Sequence, residues 1–414
     1  MQLIKFIVSR LYKVGNKTES LSSPVVKICI VGVALGMAVM LVAISVVVGF
    51  KKEIQEKITG FTAHIHLVNY DLNATYDSNP INADRDFMQN IQALPEVKHM
   101  QKFATKPGIV RTSTDLQAIV LKGMNSDFDT TFFSECLIAG HLPVISDSLL
   151  SNQVIISEII SNKLKINIGD KLPTYFMQNP VRVRNFTVSG IYSTNLEMYD
   201  EIYVLCDIRH IQRLNGWKEN EVSGYEIFIR DINKLNEVTD QIINLTALSF
   251  DEKQAALRAV PVTELNPQIF DWLELQNINV YVIIILMILV SATNMVTGLL
   301  ILILERTQFI GILKTLGTNN KTLQKIFVVR SAQIVLQGIA IGNLIGLAII
   351  LIQHFWHPLR LDPASYYLTH VPVFISPFYW VLINVITFLC LILLMTIPAK
   401  YVSRITVAKI MRFD

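Results

Sequence analysis

Four long apolar stretches without Asp, Glu, Lys or Arg constrain this chain more than any other feature of its sequence. Each can supply the roughly 20 apolar residues that cross a hydrocarbon core of about 30 Å, whereas a buried helix of a globular core needs only about 10–14. Charged residues make up 17% of the chain, against about 25% in soluble proteins. We therefore predict four transmembrane helices, within the stretches Ile28–Phe50, Leu275–Leu304, Ser331–Phe355 and Phe378–Ile397.

The distribution of Lys and Arg around these stretches predicts the orientation. The N-terminal arm, the connection between the second and third stretches and the C-terminal tail are all basic, whereas the loop between the third and fourth has Arg360 balanced by Asp362. Basic loops remain in the cytoplasm, so both termini are expected there and Lys51–Glu274 outside. That outer segment carries 21 Lys and Arg against 29 Asp and Glu. The basic residues thus belong at the membrane surface, and we expect no nucleic-acid partner.

The outer segment has the pattern of a folded domain. Strand-like runs alternate with helical runs, which favours a mixed α/β domain. Its length permits two subdomains, the second formed by an insertion at about 127–217. The strand-like runs are His64–Val68, Ala118–Leu121, Gln153–Ile156, Phe186–Ile191, Glu201–Leu205 and Tyr225–Ile229, and the helical runs are Asp84–Leu94, Glu158–Leu164 and Asn233–Thr246.

The helical pattern that begins near Thr263 contains no Gly or Pro between Pro267 and the second apolar stretch. One rigid helix is therefore expected to run from the outer domain through the membrane to Glu305. The resulting organisation is an interfacial helix at 1–24, transmembrane helices at 25–50, 275–304, 326–355 and 377–399, an outer domain at 51–274, a cytoplasmic segment at 305–325, an outer loop at 356–376 and a cytoplasmic tail at 400–414.

Motifs that carry enzyme chemistry are missing from the sequence. It contains no GxxxxGK[ST] phosphate loop, no HExxH, no GxSxG and no CxxC, and each of these would have supplied a specific chemistry. We therefore expect no catalytic residue, no metal site and no cofactor in this chain. Cys136 and Cys206 lie in the outer segment, where a disulfide between them is permitted and stays an open alternative.

The cytoplasmic segment Glu305–Thr318 is short and amphipathic. Its apolar residues occupy other faces than Arg306 and Lys314, and Gly317 is placed as a left-handed C-cap. Such a helix is too short to span the membrane, so it either lies on the bilayer or docks into a groove of a soluble partner. Its apolar residues are Phe309, Ile310, Ile312, Leu313 and Leu316.

Three glycines of the third apolar stretch, Gly338, Gly342 and Gly346, recur at GxxxG spacing. This spacing is typical of closely packed membrane helices. The packing is expected either within the helix bundle or between subunits.

Together these features resemble the MacB/FtsX/LolC–LolE class of ABC-transporter permeases. Glu305–Thr318, ERTQFIGILKTLGT, is similar to the ERTREIGILKALGA-type coupling helix of that class and departs from it at Phe309, where members usually have Glu. Val46–Leu67, and Val154–Leu172 followed by Arg184–Tyr192, resemble the lipoprotein-releasing LolC/LolE branch. The resemblance covers nearly the whole chain.

The resemblance implies a membrane α+β fold, with four transmembrane helices arranged 1+3 and a large MacB-like mixed α/β domain between the first and second. It implies a permease of the bacterial inner membrane that works by mechanotransmission. The expected partners are a LolD-like ATPase that binds ATP and Mg, a second permease copy or paralogue, a lipoprotein substrate and a LolA-like carrier. A MacB-like peptide or drug exporter and an FtsX-like regulator of an envelope hydrolase stay open as alternatives.

The resemblance also assigns roles to residues. In the LolC member a hook after the Gly-Asp turn recruits the carrier, and the matching stretch here, Pro173–Arg184, is short; a plain hairpin tip is the alternative. The lipoprotein is expected to enter between the first and second spans. The implied residues are Glu305, Arg306, Phe309, Ile310, Gly311, Ile312, Leu313, Lys314, Leu316 and Gly317 for ATPase coupling; Tyr175, Phe176 and Met177 for carrier contact; Met37, Met40, Val47, Phe50, Ile283, Met287 and Val290 for facing lipid or lipoprotein; and Gly338, Gly342 and Gly346 for helix packing.

Overall fold

A computed structural model describes residues 22–400 apart from 72–75, 78, 85–86, 113–114, 147–148 and 249–255. The chain forms two compact units. The helical unit contains the described residues up to Lys52, together with 272–360 and 370–400, and the sheet unit contains 53–271 and 361–369. The interfacial helix predicted before Ser22 and the tail beyond Lys400 lie outside the described residues.

Four of the helices among the described residues are long and apolar enough to cross a membrane. They are α1, α9, α11 and α13, of 41, 39, 37 and 23 residues. In chain order the helices are α1 (Ser22–Thr62), α2 (Phe87–Gln92), α3 (Thr131–Glu135), α4 (Glu158–Leu164), α5 (Glu197–Asp200), α6 (Ile208–Asn215), α7 (Leu235–Leu248), α8 (Val262–Leu265), α9 (Pro267–Glu305), α10 (Thr307–Thr315), α11 (Asn320–Trp356), α12 (Pro363–Tyr366) and α13 (Pro377–Ala399).

The prediction of one continuous helix up to Glu305 is confirmed by α9, which begins at Pro267. Proline suits this first position because it lacks an N–H that would be unpaired there and its φ angle is already helical. Helix α1 also extends beyond its apolar stretch, to Thr62 in the sheet unit. Both helices therefore contribute residues to both units.

The sheet unit is built on a ten-stranded mixed sheet with the path β12-β1-β11-β3-β4-β9-β6-β8-β5, to which β7 is added beside β3 and β8. Strands β2 and β10 form a separate pair. The strands are β1 (Ile65–Asn69), β2 (Ile81–Asn82), β3 (Val97–Arg111), β4 (Leu116–Met124), β5 (Leu137–Gly140), β6 (Gln153–Ser157), β7 (Lys171–Phe176), β8 (Arg182–Tyr192), β9 (Tyr203–Asp207), β10 (Glu221–Val222), β11 (Gly224–Ile229) and β12 (Leu257–Pro261).

Strand β3 is the longest in the sheet and pairs with different partners along its length. Its first half pairs with β11, and the residues from Ala104 to Arg111 pair with β4. Strand β4 also pairs in parallel with β9, and β9 belongs to the segment 127–217. The proposed division into two subdomains stays a prediction, but β3 and β4 join both parts in one sheet. Cys136 and Cys206 are both free thiols.

The core of the helical unit is formed by buried side chains of α1, α9, α10, α11 and α13. Val33 of α1, Met295 of α9, Val335 of α11 and Leu391 of α13 are each at most 1% exposed. Because lipid is as apolar as these side chains, the helices associate through close packing rather than through a hydrophobic driving force. The stability of this core therefore depends on how closely the helix surfaces fit together, and the surroundings of its glycines show how close that fit is.

Candidate functional site

Helix α10 is the segment that the sequence predicted as the ATPase contact. Gly317 follows it with φ +82°, and the N–H groups of Gly317 and Thr318 donate to the carbonyls of Lys314 and Leu313 over 3.0 Å each. This is the geometry of a helix that ends on a left-handed residue, as the sequence predicted. The next helix, α11, starts after the N-cap Asn319, whose side chain accepts from the Lys321 N–H.

The two faces of α10 have different surroundings. Ile310 is fully buried in the core of the helical unit, Gly311 is also buried, and Leu313 packs against the same core. Ile312 and Leu316 are 59% and 76% exposed. Ile310 and Gly311 therefore face the bundle rather than a partner, and their predicted role in ATPase coupling stays a prediction.

Ile312 lies on the exposed face of α10, and Leu316, the residue that caps its C-terminal end, follows one turn later. Large exposed apolar side chains at this spacing are typical of a helix that docks into a groove of a partner. Glu305, Gln308 and Gly317 are also exposed, whereas Arg306, Phe309 and Lys314 are half-buried. One face of α10 can thus contact a partner while the other is held by the bundle.

Helices α1 and α9 pack closely through small residues. A methyl group at Gly36 would lie 2.4 Å from Ser291 Oγ, and one at Gly298 would lie 2.0 Å from Cys29 Sγ. Ser291 is 1% exposed, and its hydroxyl has no hydrogen-bond partner among the described residues. Farther along α1, the ring of Phe50 contacts Trp272 edge-on, with centroids 5.4 Å apart.

Several residues assigned to face lipid lie inside the helical unit instead. Met37 and Met40 have no exposed surface and form a cluster with Leu41 and Ile383. Met287 packs partly against the same cluster. Their assignment as lipid-facing is wrong because α1 is covered by neighbouring helices along this face. Val47, Phe50, Ile283 and Met287 are half-buried, and Val290 is 52% exposed.

The GxxxG glycines of α11 pack within the bundle, against α1. Methyl groups at Gly338 and Gly342 would lie 2.7 and 2.6 Å from Val33 Cβ and the Ala34 carbonyl oxygen, and one at Gly346 would lie 3.3 Å from Leu41 Cβ. Of the two alternatives left open by the sequence, the structure supports packing within one chain. Any larger residue at Gly342 must displace the α1 backbone.

The stretch assigned to carrier contact forms the β7–β8 hairpin. Phe176 is fully buried, so its assignment as a contact residue is wrong: the side chain belongs to the core. Tyr175 is half-buried, and Met177 is 70% exposed at the end of β7. Met177 thus remains the exposed apolar side chain of the three.

A buried polar group, the Lys122 cluster (Phe61, His66, Gln101, Lys122 and Glu226), surrounds the C-terminal end of α1 in the sheet unit. Lys122 Nζ donates to the Phe61 carbonyl and lies 2.7 Å from Glu226 Oε1. His66 Nε2 donates to the Thr62 carbonyl and lies 3.5 Å from Glu226 Oε1. Gln101 Nε2 donates to Glu226 Oε2 over 2.7 Å.

The electrostatics of the Lys122 cluster fix the charge of Glu226. Burial alone would raise the pKa of this carboxyl group, but the Lys122 ammonium and the hydrogen bonds from His66 and Lys122 outweigh it and lower the pKa to about 2. Positive charge is favourable at the last carbonyls of a helix. The cluster therefore fastens the end of α1 to strands β1, β3, β4 and β11.

Lys57, one turn before Phe61 on α1, makes a second attachment. Its ammonium donates to the carbonyls of Thr194 and Tyr367, both over 3.1 Å. Asp200 holds Thr194 in turn, accepting from its N–H over 2.9 Å and from its hydroxyl over 2.8 Å. Burial lowers the pKa of Lys57 and raises that of Asp200 to about 6. Lys57 thus joins α1, the loop before α5 and the segment 361–369.

The sequence reasoning missed both attachments. A signal was present: Lys122 and Glu226 interrupt the otherwise apolar runs of β4 and β11. A charge at a core-facing strand position is stable only when it is paired. The sequence does not say which strand supplies the partner, because Lys122 and Glu226 lie 104 residues apart.

Two family models match the chain. Residues 28–245 match the MacB-like periplasmic core domain, which is more than half of the chain, and residues 281–407 match the FtsX-like permease C-terminal region. The chain belongs to the MacB/FtsX/LolC–LolE class of ABC-transporter permeases. The permease fold predicted from the sequence, four membrane helices with a MacB-like domain between the first and second, is confirmed.

Relatives of this permease match over most of its length. It is 23% identical over 400 residues to the lipoprotein-releasing system transmembrane protein LolC of Buchnera aphidicola subsp. Schizaphis graminum, covering 94% of this chain and 93% of that one. It is 21% identical over 356 residues to the LolE protein of Haemophilus influenzae, covering 84% and 82%. The solved periplasmic region of MacB from Actinobacillus actinomycetemcomitans aligns at 11% identity with a TM-score of 0.34, covering 52% of this chain and 97% of that one.

Proposed function

We propose that this chain is the permease subunit of a transporter that releases lipoproteins from the inner membrane to a periplasmic carrier. The observation that carries the proposal is the similarity, over 80% or more of both chains, to proteins named for lipoprotein release. The predicted membrane orientation supports it: from the Lys and Arg pattern we expect both termini and α10 in the cytoplasm. The sheet unit then faces the periplasm, where a carrier operates.

In this proposal the chemistry of ATP belongs to a separate LolD-like ATPase, which binds ATP and Mg and docks on Ile312 and Leu316. Closure of that ATPase displaces α10. Helix α10 follows α9 directly and packs into the same core through Ile310. In this proposal the two helices therefore move together. The continuous helix α9 carries it to the sheet unit without a flexible joint.

The substrate would enter sideways between the first and second spans of a permease pair, a second copy or a paralogue completing the site. The α1–α9 contact at Gly36 and Ser291 is then the seam that must open. Val290 on α9, which is half-exposed, is adjacent to this seam in sequence. Met177 on the β7–β8 hairpin offers the carrier an exposed apolar contact.

Depletion of the protein tests the proposed function. Outer-membrane lipoproteins should accumulate in the inner membrane within a few generations, and membrane fractionation with immunoblotting would measure this. Normal lipoprotein sorting would refute the proposal. If sorting is normal and drug or peptide efflux fails instead, the MacB-like alternative replaces it; a cell-wall hydrolysis defect alone would favour the FtsX-like one.

The docking surface on α10 has its own test. The double variant Ile312→Asp/Leu316→Asp should abolish co-purification of the ATPase, because it places two charges in an apolar contact. The matched control, Ile312→Leu/Leu316→Ile, keeps the apolar surface and should retain binding. Normal ATPase binding by the Asp variant would show that the partner docks elsewhere.

A further inference from the structure

The sheet unit contains a cavity of about 380 Å³ over strands β3 and β4, and of its lining residues only Met177 has a role in the function proposed above. Its volume lies in the range of about 300–1,000 Å³ that is typical of small-molecule sites. Apart from Tyr76, Asp77 and Lys106, its lining is apolar or Gly: Pro107, Gly108, Ile109, Ala118, Ile119, Val120, Met177 and Ile202.

The strand register explains why this surface is apolar. Pro107 pairs with Val120 and Ile109 with Ala118, so these four side chains share one face of the sheet. Pro107 and Ala118 are exposed there. A solvent-facing side of an antiparallel pair is normally polar, and an exposed apolar patch indicates a binding surface.

The polar part of the lining is an ion pair. Lys106 Nζ lies 2.8 and 2.9 Å from the two carboxylate oxygens of Asp77, and the Lys106 side chain is only 7% exposed. An ammonium has three donors, and Asp77 accepts two hydrogen bonds from it here. The lining is thus aliphatic over most of its extent, and its polar part is the Lys106–Asp77 ion pair.

We propose that this cavity binds a long aliphatic acyl chain, with its polar head near the Lys106–Asp77 pair. The volume favours a chain over a protein partner, because concave sites of about 300–1,000 Å³ are typical of small ligands. Met177 supports the same ligand, since a thioether side chain adapts to a flexible apolar chain. The source is either the acylated N-terminus of a lipoprotein or a free fatty acid, and only the first source rests on the proposed function.

Photolabelling of the full chain in nanodiscs tests the proposal. One probe is palmitic acid with a diazirine near its methyl end, and the other is a dipalmitoylated peptide with the same group. Labelled peptides are mapped by mass spectrometry, and labelling of the membrane helices serves as the internal standard for probe delivery. Both probes are applied to the wild type and to two variants, Ala118→Trp and Ala139→Trp.

The two variants form a matched pair, because Ala118 and Ala139 are both exposed strand residues and only Ala118 lines the cavity. The indole ring at 118 should fill the space and reduce labelling of β3 and β4 at least about fivefold relative to the helices, as overpacking of a fixed volume requires. Ala139→Trp should leave the ratio unchanged. Equal labelling in Ala118→Trp and wild type, or helices labelled without β3 and β4, overturns the proposal.

The remaining outcomes separate the sources. Labelling of β3 and β4 by the lipopeptide identifies lipoprotein acyl chains as the ligand, whereas labelling by palmitic acid alone supports the acyl site and refutes that source. If the strands are not labelled but depletion still blocks lipoprotein release, the acyl site is refuted and the proposed function stands. Specific labelling of β3 and β4, together with normal lipoprotein sorting after depletion, supports the acyl site and refutes the proposed function.

Discussion

The pair Lys122–Glu226 gives the most quantitative prediction. Both side chains are at most 4% exposed and their charged atoms lie 2.7 Å apart. Removing one partner leaves a buried charge uncompensated, which costs about 3–5 kcal/mol. We therefore expect Lys122→Met and Glu226→Gln each to weaken the sheet unit by that amount.

The double variant Lys122→Met/Glu226→Gln removes both charges and should cost much less than the sum. The amide at position 226 still offers an oxygen to Gln101, so the main loss is the Lys122 hydrogen bond to the Phe61 carbonyl. An unpaired buried carbonyl costs about 1–3 kcal/mol. Subtracting this from two losses of about 3–5 kcal/mol gives a coupling energy of at least about 3 kcal/mol.

Hydrogen–deuterium exchange of the chain in nanodiscs measures these losses. Each tenfold change in exchange rate is about 1.4 kcal/mol, so amides of β1, β4 and β11 should exchange about two to four decades faster in either single variant. The matched control is the exposed pair Arg258–Glu264, at 2.9 Å with both side chains more than half exposed. Arg258→Met should change exchange little, since surface pairs contribute about 0–1 kcal/mol.

Additive losses in the double variant would refute this reasoning, because they would mean that the two charges do not compensate each other in the folded chain. Single-variant losses no larger than that of Arg258→Met would refute it as well, since the pair would then behave as a solvated surface contact.

Three further predictions concern other contacts. Gly36→Ala should lower the melting temperature in detergent, because the added methyl group meets Ser291 Oγ. The double variant Gly36→Ala/Ser291→Ala should restore the melting temperature, because the Cβ of Ser291 would lie at an ordinary 3.8 Å from that methyl group. No restoration would mean that the helices clash elsewhere. Lys57→Met should accelerate deuterium exchange in residues 361–369, since the hydrogen bond to the Tyr367 carbonyl is lost; unchanged exchange would show that the segment is held by other contacts. Burial raises the pKa of Asp200 from 3.8 to about 6, so the folded state binds this proton more tightly and stability should fall as pH rises between those values. Asp200→Asn should flatten this dependence of the melting temperature on pH. An unchanged dependence would contradict the raised pKa of Asp200.

The parts of the fold that the sequence predicted are those with a periodic or compositional signal. The range 377–399 coincides with α13, and Glu158–Leu164 coincides with α4, whose Ser157 N-cap accepts from the Ile160 N–H. Strand β3 was missed although it has 15 residues, because charged and polar residues interrupt its apolar positions. Its buried polar side chains, such as Gln101, are compensated by partners that lie far away in the sequence.

The candidate site was predictable as a segment and not as a set of contacts. The amphipathic pattern identified α10, but four apolar residues on nine positions do not show which face the bundle covers. Met37 and Met40 are apolar, as lipid-facing side chains are, and Phe176 is the kind of side chain that an exposed hairpin contact would have. In each case a neighbouring element buries the residue, and only the packed structure supplies that neighbour.

The two membrane helices that enter the sheet unit are tied together by its strands. β1 follows α1 and β12 precedes α9, and these strands pair with Ile65 opposite Pro261, while the Val262 N–H donates to the His64 carbonyl over 2.8 Å. In the proposed mechanism, a displacement at the start of α9 would pass through one strand pair to the end of α1, which the Lys122 cluster fixes to three further strands. The link between β12 and α9 is short, and Asn266 within it accepts a hydrogen bond from the Tyr199 hydroxyl. In the proposed mechanism a push on α9 would reach the sheet through this short link.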